Sequence, residues 1–167
     1  MHLNIEIKAK SARIEAIRSY LKGAGADYKG TDHQVDTYFE VPAGRMKLRE
    51  GNIENSLIFY KRQDQAGPKA SEVHLYHPPQ DPRLKALLQE ALGIKKVVDK
   101  MREIYFIENV KFHLDEVKGL GTFVEIEAID SDGSIGKEKL LEQCNFYLQA
   151  FEIKDEDLLE KSYSDMV

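Results

Sequence analysis

The stretch Asn4-Ile5-Glu6-Ile7-Lys8-Ala9-Lys10 alternates apolar residues with polar or charged ones at a period of two. The same kind of alternation returns in Arg45-Met46-Lys47-Leu48-Arg49 and in Phe123-Val124-Glu125-Ile126-Glu127. A period of two sends successive side chains to opposite faces of a β-strand, so each stretch predicts a strand with one apolar and one charged face. The charged faces either meet water on an open sheet or converge inside a closed one, and this choice decides the function.

The composition is that of a folded protein with a well-charged surface, since 42% of the 167 residues are hydrophobic and 32% are charged. A chain of this length predicts one domain over residues 1–167. The net charge of −5 disfavours a nucleic-acid partner, and the single cysteine, Cys144, excludes an internal disulfide and a cysteine-based zinc site. Because no apolar run reaches the length of a membrane span, we expect a cytoplasmic protein with no membrane partner, and the oligomeric state stays open.

The order of the segments favours an α+β barrel with peripheral helices over a parallel doubly wound sheet. Short connections join most of the strand-like segments, which is typical of antiparallel pairing. The predicted strands cover residues 3–10, 34–41, 45–50, 57–62, 71–77, 97–106, 110–117 and 122–129. The predicted helices cover residues 11–23, 81–92, 135–150 and 155–160, and a polar loop covers residues 63–70.

Charges of one sign share a face on two of the predicted strands. Arg45, Lys47 and Arg49 lie on one face of their strand, and Glu125 and Glu127 lie on one face of theirs. Like charges placed this close repel one another, whereas a face in contact with water usually mixes signs. A phosphate chain would neutralise the basic face and a divalent cation the acidic one. The pattern therefore indicates a lumen for an anion and a metal, although each strand taken singly also fits a water-facing sheet.

Further motifs follow these strands in order along nearly the whole chain. They are Gln34-Val35-Asp36-Thr37-Tyr38-Phe39, Lys61, Lys100 with Arg102, His113-Leu114-Asp115-Glu116-Val117, Gly119-Leu120-Gly121, and the tail Ser162-Tyr163-Ser164-Asp165. With the N-terminal strand, this ordered set resembles the CYTH domain group, also called triphosphate tunnel metalloenzymes. The group includes class IV adenylyl cyclases, thiamine triphosphatases and inorganic triphosphatases. Its hallmark is a Glu-x-Glu-x-Lys strand, which Glu6 and Lys8 match and from which Asn4 departs.

The resemblance implies a closed eight-stranded antiparallel β-barrel whose charged lumen is a triphosphate tunnel. It implies that Mg²⁺ or Mn²⁺ binds to Glu6, Glu125 and Glu127, with Asp115 as a further or water-mediated ligand. An amide at Asn4 can ligate a hard cation but brings no charge, which predicts either weaker metal binding or the loss of one ion from a two-metal site. Lys8 or Tyr38 would activate or orient the nucleophile. The residues implied to bind the triphosphate are Lys8, Lys47, Arg49, Lys61 and Arg102, with Lys10, Arg45 and Lys100 as second choices.

The function implied by this set is that of a metal-dependent enzyme whose small-molecule partner carries a triphosphate. ATP, thiamine triphosphate and tripolyphosphate are the candidate substrates. Attack by water on the terminal phosphorus would give triphosphate hydrolysis, whereas attack by the ribose 3′-hydroxyl of ATP on the α-phosphorus would give cyclic AMP and pyrophosphate. The alternative is a non-catalytic module that binds a phosphorylated metabolite or polyphosphate, because a fold does not fix its chemistry.

Overall fold

The computed structural model describes residues 2–62 and 65–167 and shows a closed antiparallel barrel. Around the barrel the strands follow the order β1, β5, β4, β3, β2, β6, β7 and β8, and β8 closes onto β1. The predicted closed eight-stranded barrel with peripheral helices is confirmed. The strands are β1 (His2–Lys10), β2 (Asp27–Phe39), β3 (Arg45–Gly51), β4 (Ser56–Arg62), β5 (Lys69–Tyr76), β6 (Ile94–Ile107), β7 (Val110–Val117) and β8 (Gly121–Asp130).

Two strands, β2 and β6, begin well before the positions that the sequence pattern predicted. β2 has 13 residues and begins at Asp27, and β6 has 14 residues and begins at Ile94. The two pair with each other along almost their whole length, with a register shift between Tyr28 and Gly30. The first half of β2 is polar and shows no alternation of apolar residues, so the sequence did not predict a strand there. It is a strand because pairing with β6 supplies its backbone hydrogen bonds. β5 likewise begins at Lys69, inside the segment predicted as a loop, of which residues 63 and 64 lie outside the described part.

Two helices cover the barrel on the side of β1, β7 and β8. These are α1 (Ile14–Gly23) and α3 (Lys137–Ala150), and each presents one buried stripe to the sheet. Leu21 and Leu140 pack with Ile5, Phe112 and Ile126, which belong to the outward, apolar faces of their strands. The charged faces of those strands are thereby turned inward.

The described residues form two further α-helices and one short 3₁₀ turn. α2 (Pro82–Leu92) begins after Asp81, whose side chain accepts a hydrogen bond from the Arg83 backbone N–H and so caps the helix. The predicted helix over residues 155–160 is a 3₁₀ turn, Asp155–Asp157, and the tail forms α4 (Tyr163–Met166). Within the described residues, no helix is both long and apolar enough to cross a membrane.

Truncation of Leu140 tests the contribution of α3 to the core. The side chain is fully buried between the helix and the sheet, so Leu140→Ala leaves a cavity and should lower the free energy of unfolding by about 2–5 kcal/mol in urea denaturation. Leu87 on α2 is 68% exposed, and Leu87→Ala should change that free energy by less than about 0.5 kcal/mol. Equal losses in the two variants would contradict the placement of α3.

Candidate triphosphate and metal site

The lumen of the barrel is a cavity of about 840 Å³, including the part that opens to solvent. One end of the barrel, here called the tail end, carries the end of β1, the start of β8 and helix α4. The other, here called the open end, carries the starts of β1, β4 and β7 and the end of β5, where the cavity-lining Leu75 is 44% exposed. The charged residues that line the cavity are Glu6, Lys8, Lys47, Arg49, Glu54, Arg62, Lys100, Arg102, Lys111, Glu125 and Glu127.

Most of the residues predicted for the site face this cavity. Among the predicted phosphate ligands, the lining includes Lys8, Lys47, Arg49, Lys100 and Arg102. Among the predicted metal ligands it includes Glu6, Glu125 and Glu127, and the catalytic candidate Tyr38 is also present. Alternation along each strand therefore brings together residues that are up to 121 positions apart in the chain, from Glu6 to Glu127.

Three predicted phosphate ligands lie elsewhere. Lys61 is exposed on the outer face of β4, with its Nζ 5.9 Å from the centre of the Phe59 ring, and its neighbour Arg62 faces the lumen instead. Lys10 is exposed at the end of β1. Arg45 lies at the tail end, where its guanidinium donates to the Ser162 hydroxyl at 2.8 Å and forms an ion pair with Asp165.

The basic wall is organised by Asp36, a residue that the sequence analysis did not single out as a site residue. Arg49 donates two hydrogen bonds to its carboxylate, at 2.9 and 2.8 Å, and Lys100 donates one at 2.7 Å. The Lys47 ammonium lies 3.4 Å from the same carboxylate. Burial alone would raise the pKa of Asp36, but Arg49 and Lys100 outweigh burial and hold that pKa well below its usual range. The three cations are thus fixed in position before any anion arrives.

Asp115 is bound by protein groups, in contrast to its predicted role as a metal ligand. Its two oxygens accept hydrogen bonds from Arg102 at 2.7 Å each, and the Tyr163 hydroxyl donates to one of them at 2.8 Å. The carboxylate is 2% exposed. Asp115 therefore orients Arg102, and it is not among the residues that line the cavity.

The Asp115–Arg102 pair predicts a loss of stability in acid. Burial raises the pKa of Asp115, but Arg102 outweighs it and lowers the pKa from 3.8 to about 2. The folded state therefore binds this proton more weakly than the unfolded state, so the pair stabilises the fold above about pH 4 and this contribution disappears as the pH falls towards 2. The shift corresponds to about 2 kcal/mol. Urea denaturation should show this fall in the wild type and a smaller one in Asp115→Asn; identical pH profiles would contradict it.

A second cluster brings together His113, Glu125 and Glu127 from adjacent strands β7 and β8. One ligand atom from each lies within 4.8 Å of the others. Both ring nitrogens of His113 and the Oδ1 atom of Asn4 are buried without a hydrogen-bond partner among the described residues. The Asn4 amide nitrogen donates to Glu127 at 2.7 Å, so Asn4 lies in contact with this cluster.

This donor set fits a divalent cation. Two carboxylates and an amide oxygen are ligands for a hard cation, and imidazole adds a ligand that binds Mn²⁺. Unpartnered polar atoms are costly when buried, and a bound cation would satisfy one ring nitrogen of His113 and the Asn4 Oδ1 atom. Glu6, a predicted ligand, lies opposite Glu127 on β1 but forms an ion pair with Arg62. His113 was not predicted to belong to this cluster, although it shares a face with Asp115 in the sequence.

The pKa values in this region separate the two catalytic candidates. Burial lowers the pKa of Lys8 to about 8, against the opposing effect of Glu125, whose Oε2 is 3.6 Å from the Lys8 ammonium. Burial and the charge of Asp36 raise the pKa of Tyr38 to about 12. Near neutral pH, Lys8 can therefore lose a proton far more readily than Tyr38. Burial also raises the pKa of Glu127, to about 7, with a further contribution from Glu125.

The tail closes one end of the cavity. Tyr163 is 3% exposed, its ring lies 3.8 Å from the Lys8 ammonium, and it packs edge-on against Phe123. More than 150 residues separate Lys8 from Tyr163 in the sequence. Sequence spacing alone could therefore not predict that the two side chains are in contact. The one feature of the sequence that pointed to Tyr163 was its presence, as an aromatic residue, within the tail motif.

Comparison with known proteins agrees with this architecture. A family model of the CYTH domain matches residues 2–163. The Methanocaldococcus jannaschii protein MJ0240, whose name assigns it a presumed adenylate cyclase activity, is 28% identical over 180 residues, which cover 98% of each chain. The structure of the PH1012 protein from Pyrococcus horikoshii OT3 has a TM-score of 0.80 and 26% identity, over 100% of this chain and 99% of that one.

A more distant structure shares the fold alone. HpAC1 from Hippeastrum, described as having a dominant triphosphatase activity, matches with a TM-score of 0.61 and 15% identity, over 97% of this chain and 91% of that one. The family model covers nearly the whole chain, and the barrel with its inward-facing charges is the arrangement that the sequence motifs implied. The chain therefore belongs to the CYTH domain family.

Proposed function

We propose that this protein is a divalent-metal-dependent enzyme that cleaves a phosphoanhydride bond in a triphosphate-bearing substrate. The observation that carries the proposal is the division of the lumen into two walls. The acidic wall is β8, which carries Glu125 and Glu127, and the basic wall includes β3, which carries Lys47 and Arg49. In the order of the eight strands β8 and β3 are four positions apart, so they lie on opposite sides of the tunnel. A phosphate chain between them would contact the cations on one side and a metal on the other.

The metal would be held by Glu125, Glu127 and His113, with the amide oxygen of Asn4 as a further ligand. Mg²⁺ or Mn²⁺ in this place would polarise a phosphoryl oxygen and neutralise developing charge. Carboxylates suit both ions, and the imidazole favours Mn²⁺ of the two. Binding of a cation also favours the ionised form of Glu127, whose pKa is otherwise raised to about 7 by burial.

The chain's own cations would bind and orient the phosphates. Arg49 and Lys100 are held on Asp36, and Arg102 is held on Asp115, so their donors are preorganised at low entropic cost. Lys8 lies beside Glu125 with a pKa lowered to about 8 by burial, which suits it to hold or accept a proton near the nucleophile. Two reactions fit this arrangement: attack by water on the terminal phosphorus, and attack by a ribose hydroxyl on the α-phosphorus.

One observation supports a non-catalytic binding module as the second candidate. Asn4 replaces a glutamate of the family's hallmark strand, and its amide already donates to Glu127. Such a module would bind tripolyphosphate or a nucleotide without turning it over. It would also bind the anion with little dependence on Mg²⁺ or Mn²⁺, because the basic wall is complete without a metal.

Product analysis distinguishes these possibilities. Purified protein is incubated with ATP or with tripolyphosphate, each with Mg²⁺, with Mn²⁺ or with a chelator, and the products are identified by ³¹P NMR and chromatography. Orthophosphate release indicates hydrolysis, and cyclic AMP with pyrophosphate indicates the cyclase reaction. Either product should require the metal. Binding of both anions without any product, at either metal, would contradict the enzyme and favour the binding module.

A further inference from the structure

The lining of the open end differs from that of the rest of the tunnel. On β4 and β5 the inward positions there are neutral, with Ile58 and Val73 each 9% exposed and Leu75 44% exposed. The hydroxyl of Ser56 lies 3.1 Å from His77 Nδ1 at the same rim. These strands form an uncharged wall, which offers packing and neutral hydrogen bonds but no charge for a phosphate oxygen.

A carboxylate stands at the same end. Glu54, in the turn between β3 and β4, folds into the lumen and pairs with Lys111, and its Oε1 lies 3.7 Å from an Arg49 nitrogen. Gln34 donates to the same oxygen at 3.0 Å. The cation at the start of β7 is therefore already neutralised, and the open end has no uncompensated positive charge among the lumen side chains described above.

The turn that carries Glu54 is built to hold this position. The Asp32 carboxylate accepts hydrogen bonds from the backbone N–H groups of Asn52, Ile53 and Glu54, at 2.6, 2.9 and 2.9 Å. Asp32 is fully buried. A Cβ at Gly51 would come within 2.7 Å of an Asp32 oxygen, so glycine permits the close approach of the turn. Glu54 is thus a fixed element of the tunnel wall.

We propose that Glu54 and the neutral wall of Ile58, Val73 and Leu75 determine substrate specificity: at the open end they accept a neutral organic group and reject a phosphate chain that continues through it. The inference rests on the proposed function, because it assumes that phosphates occupy the basic part of the tunnel. A terminal phosphate at the open end would find Lys111 and Arg49 already paired with Glu54, and it would lose its water to apolar side chains. An uncharged, flat organic group such as a nucleoside would instead pack on the aliphatic side chains and meet Ser56 and His77 at its edges. Discrimination of this kind uses an attractive and a repulsive element together.

The test compares two probes that differ at one end of the phosphate chain. Dissociation constants for ATP and inorganic tripolyphosphate are measured by calorimetry, with Ca²⁺ in place of Mg²⁺ to slow turnover. The wild type should bind ATP at least about tenfold more tightly. Glu54→Gln should tighten tripolyphosphate binding about fivefold and leave ATP within twofold, whereas Leu75→Ser should weaken ATP about fivefold and leave tripolyphosphate within twofold.

Two exposed positions provide matched controls. Glu72→Gln changes the same charge on the outer face of β5, and Leu87→Ser removes the same apolar side chain on α2. Neither should alter either dissociation constant. Equal affinity of the wild type for the two probes, with both lumen variants behaving like the controls, would overturn the specificity assignment while leaving the proposed function intact. Failure of the wild type to bind or turn over either probe would contradict the proposed function, and the specificity assignment with it.

Discussion

Replacing Glu125 with glutamine should lower the metal-dependent turnover of ATP or tripolyphosphate by about 100-fold or more. The substitution keeps the shape of a side chain that is 9% exposed and removes its charge. Glu125 lies between the ammonium of Lys8 at 3.6 Å and the ring of His113 at 3.7 Å, so we expect it both to bind the proposed metal and to set the charge around Lys8. Its loss should weaken Mn²⁺ binding, which is measured by electron paramagnetic resonance, as well as turnover.

The matched control for this prediction is Glu72→Gln. Glu72 is exposed on the outside of the barrel, two residues along β5 from Ala70, and it faces Lys61 on β4. The variant carries the same change in net charge, so an effect of overall charge would appear in both proteins. Wild-type turnover and wild-type Mn²⁺ affinity in Glu125→Gln would remove the cluster from the mechanism.

Arg49→Ala should give the largest loss of anion binding among single substitutions of the basic wall. Its guanidinium makes two hydrogen bonds to Asp36 and projects into the cavity, and a fork of donors binds phosphate oxygens with fixed geometry. We expect the dissociation constant for tripolyphosphate to rise by about 30-fold or more, which corresponds to roughly 2 kcal/mol. Calorimetry with tripolyphosphate measures this change directly.

The same substitution should also destabilise the fold. Removing Arg49 leaves Asp36, which is 1% exposed, with fewer compensating charges, and a buried charge that loses its partner costs about 3–5 kcal/mol in other proteins. Lys100 remains 2.7 Å from Asp36, so the lower part of that range is expected here. A thermal unfolding scan shows whether the variant is still folded at the temperature of the binding experiment. Arg49→Lys, which keeps the charge and loses the fork, separates a binding defect from misfolding.

Lys61→Ala provides the second control, because Lys61 was predicted to bind the triphosphate and lies outside the barrel. Its removal should change tripolyphosphate binding by less than twofold, as expected for a charge exposed to solvent. A loss as large as that of Arg49→Ala would mean that the inward face of β4 has been assigned to the wrong residues.

The alternation of residues and the resemblance to the CYTH group together predicted the barrel and most of its lumen. A period of two fixes which side chains share a face, and on β1, β3 and β8 the charged face lies inside the barrel. On β4 alternation did not identify the inward face, because both faces contain apolar residues and each ends in a basic one. Lys61, which the resemblance implied, lies on the outside. The side chains of Ile58 and Tyr60 face the lumen, and Arg62 lies on the same face of β4.

The remaining site residues depend on contacts that sequence spacing does not encode. Asp36 lies 13 residues from Arg49 and 64 from Lys100, and the three meet because β2 pairs with both β3 and β6. Tyr163 meets Asp115 across 48 residues because the tail folds back over the end of the barrel. In both cases the residue type was visible in the chain, but its partner was determined by the order of strands around the barrel.

The most direct test of the central claim is an anomalous difference map, at the manganese absorption edge, from crystals grown with MnCl₂ and tripolyphosphate. The account predicts a manganese peak bound by oxygens of Glu125 and Glu127, with phosphates between that ion and the side chains of Arg49 and Lys100. A tunnel without manganese, or phosphates bound on the outside of the barrel, would contradict it.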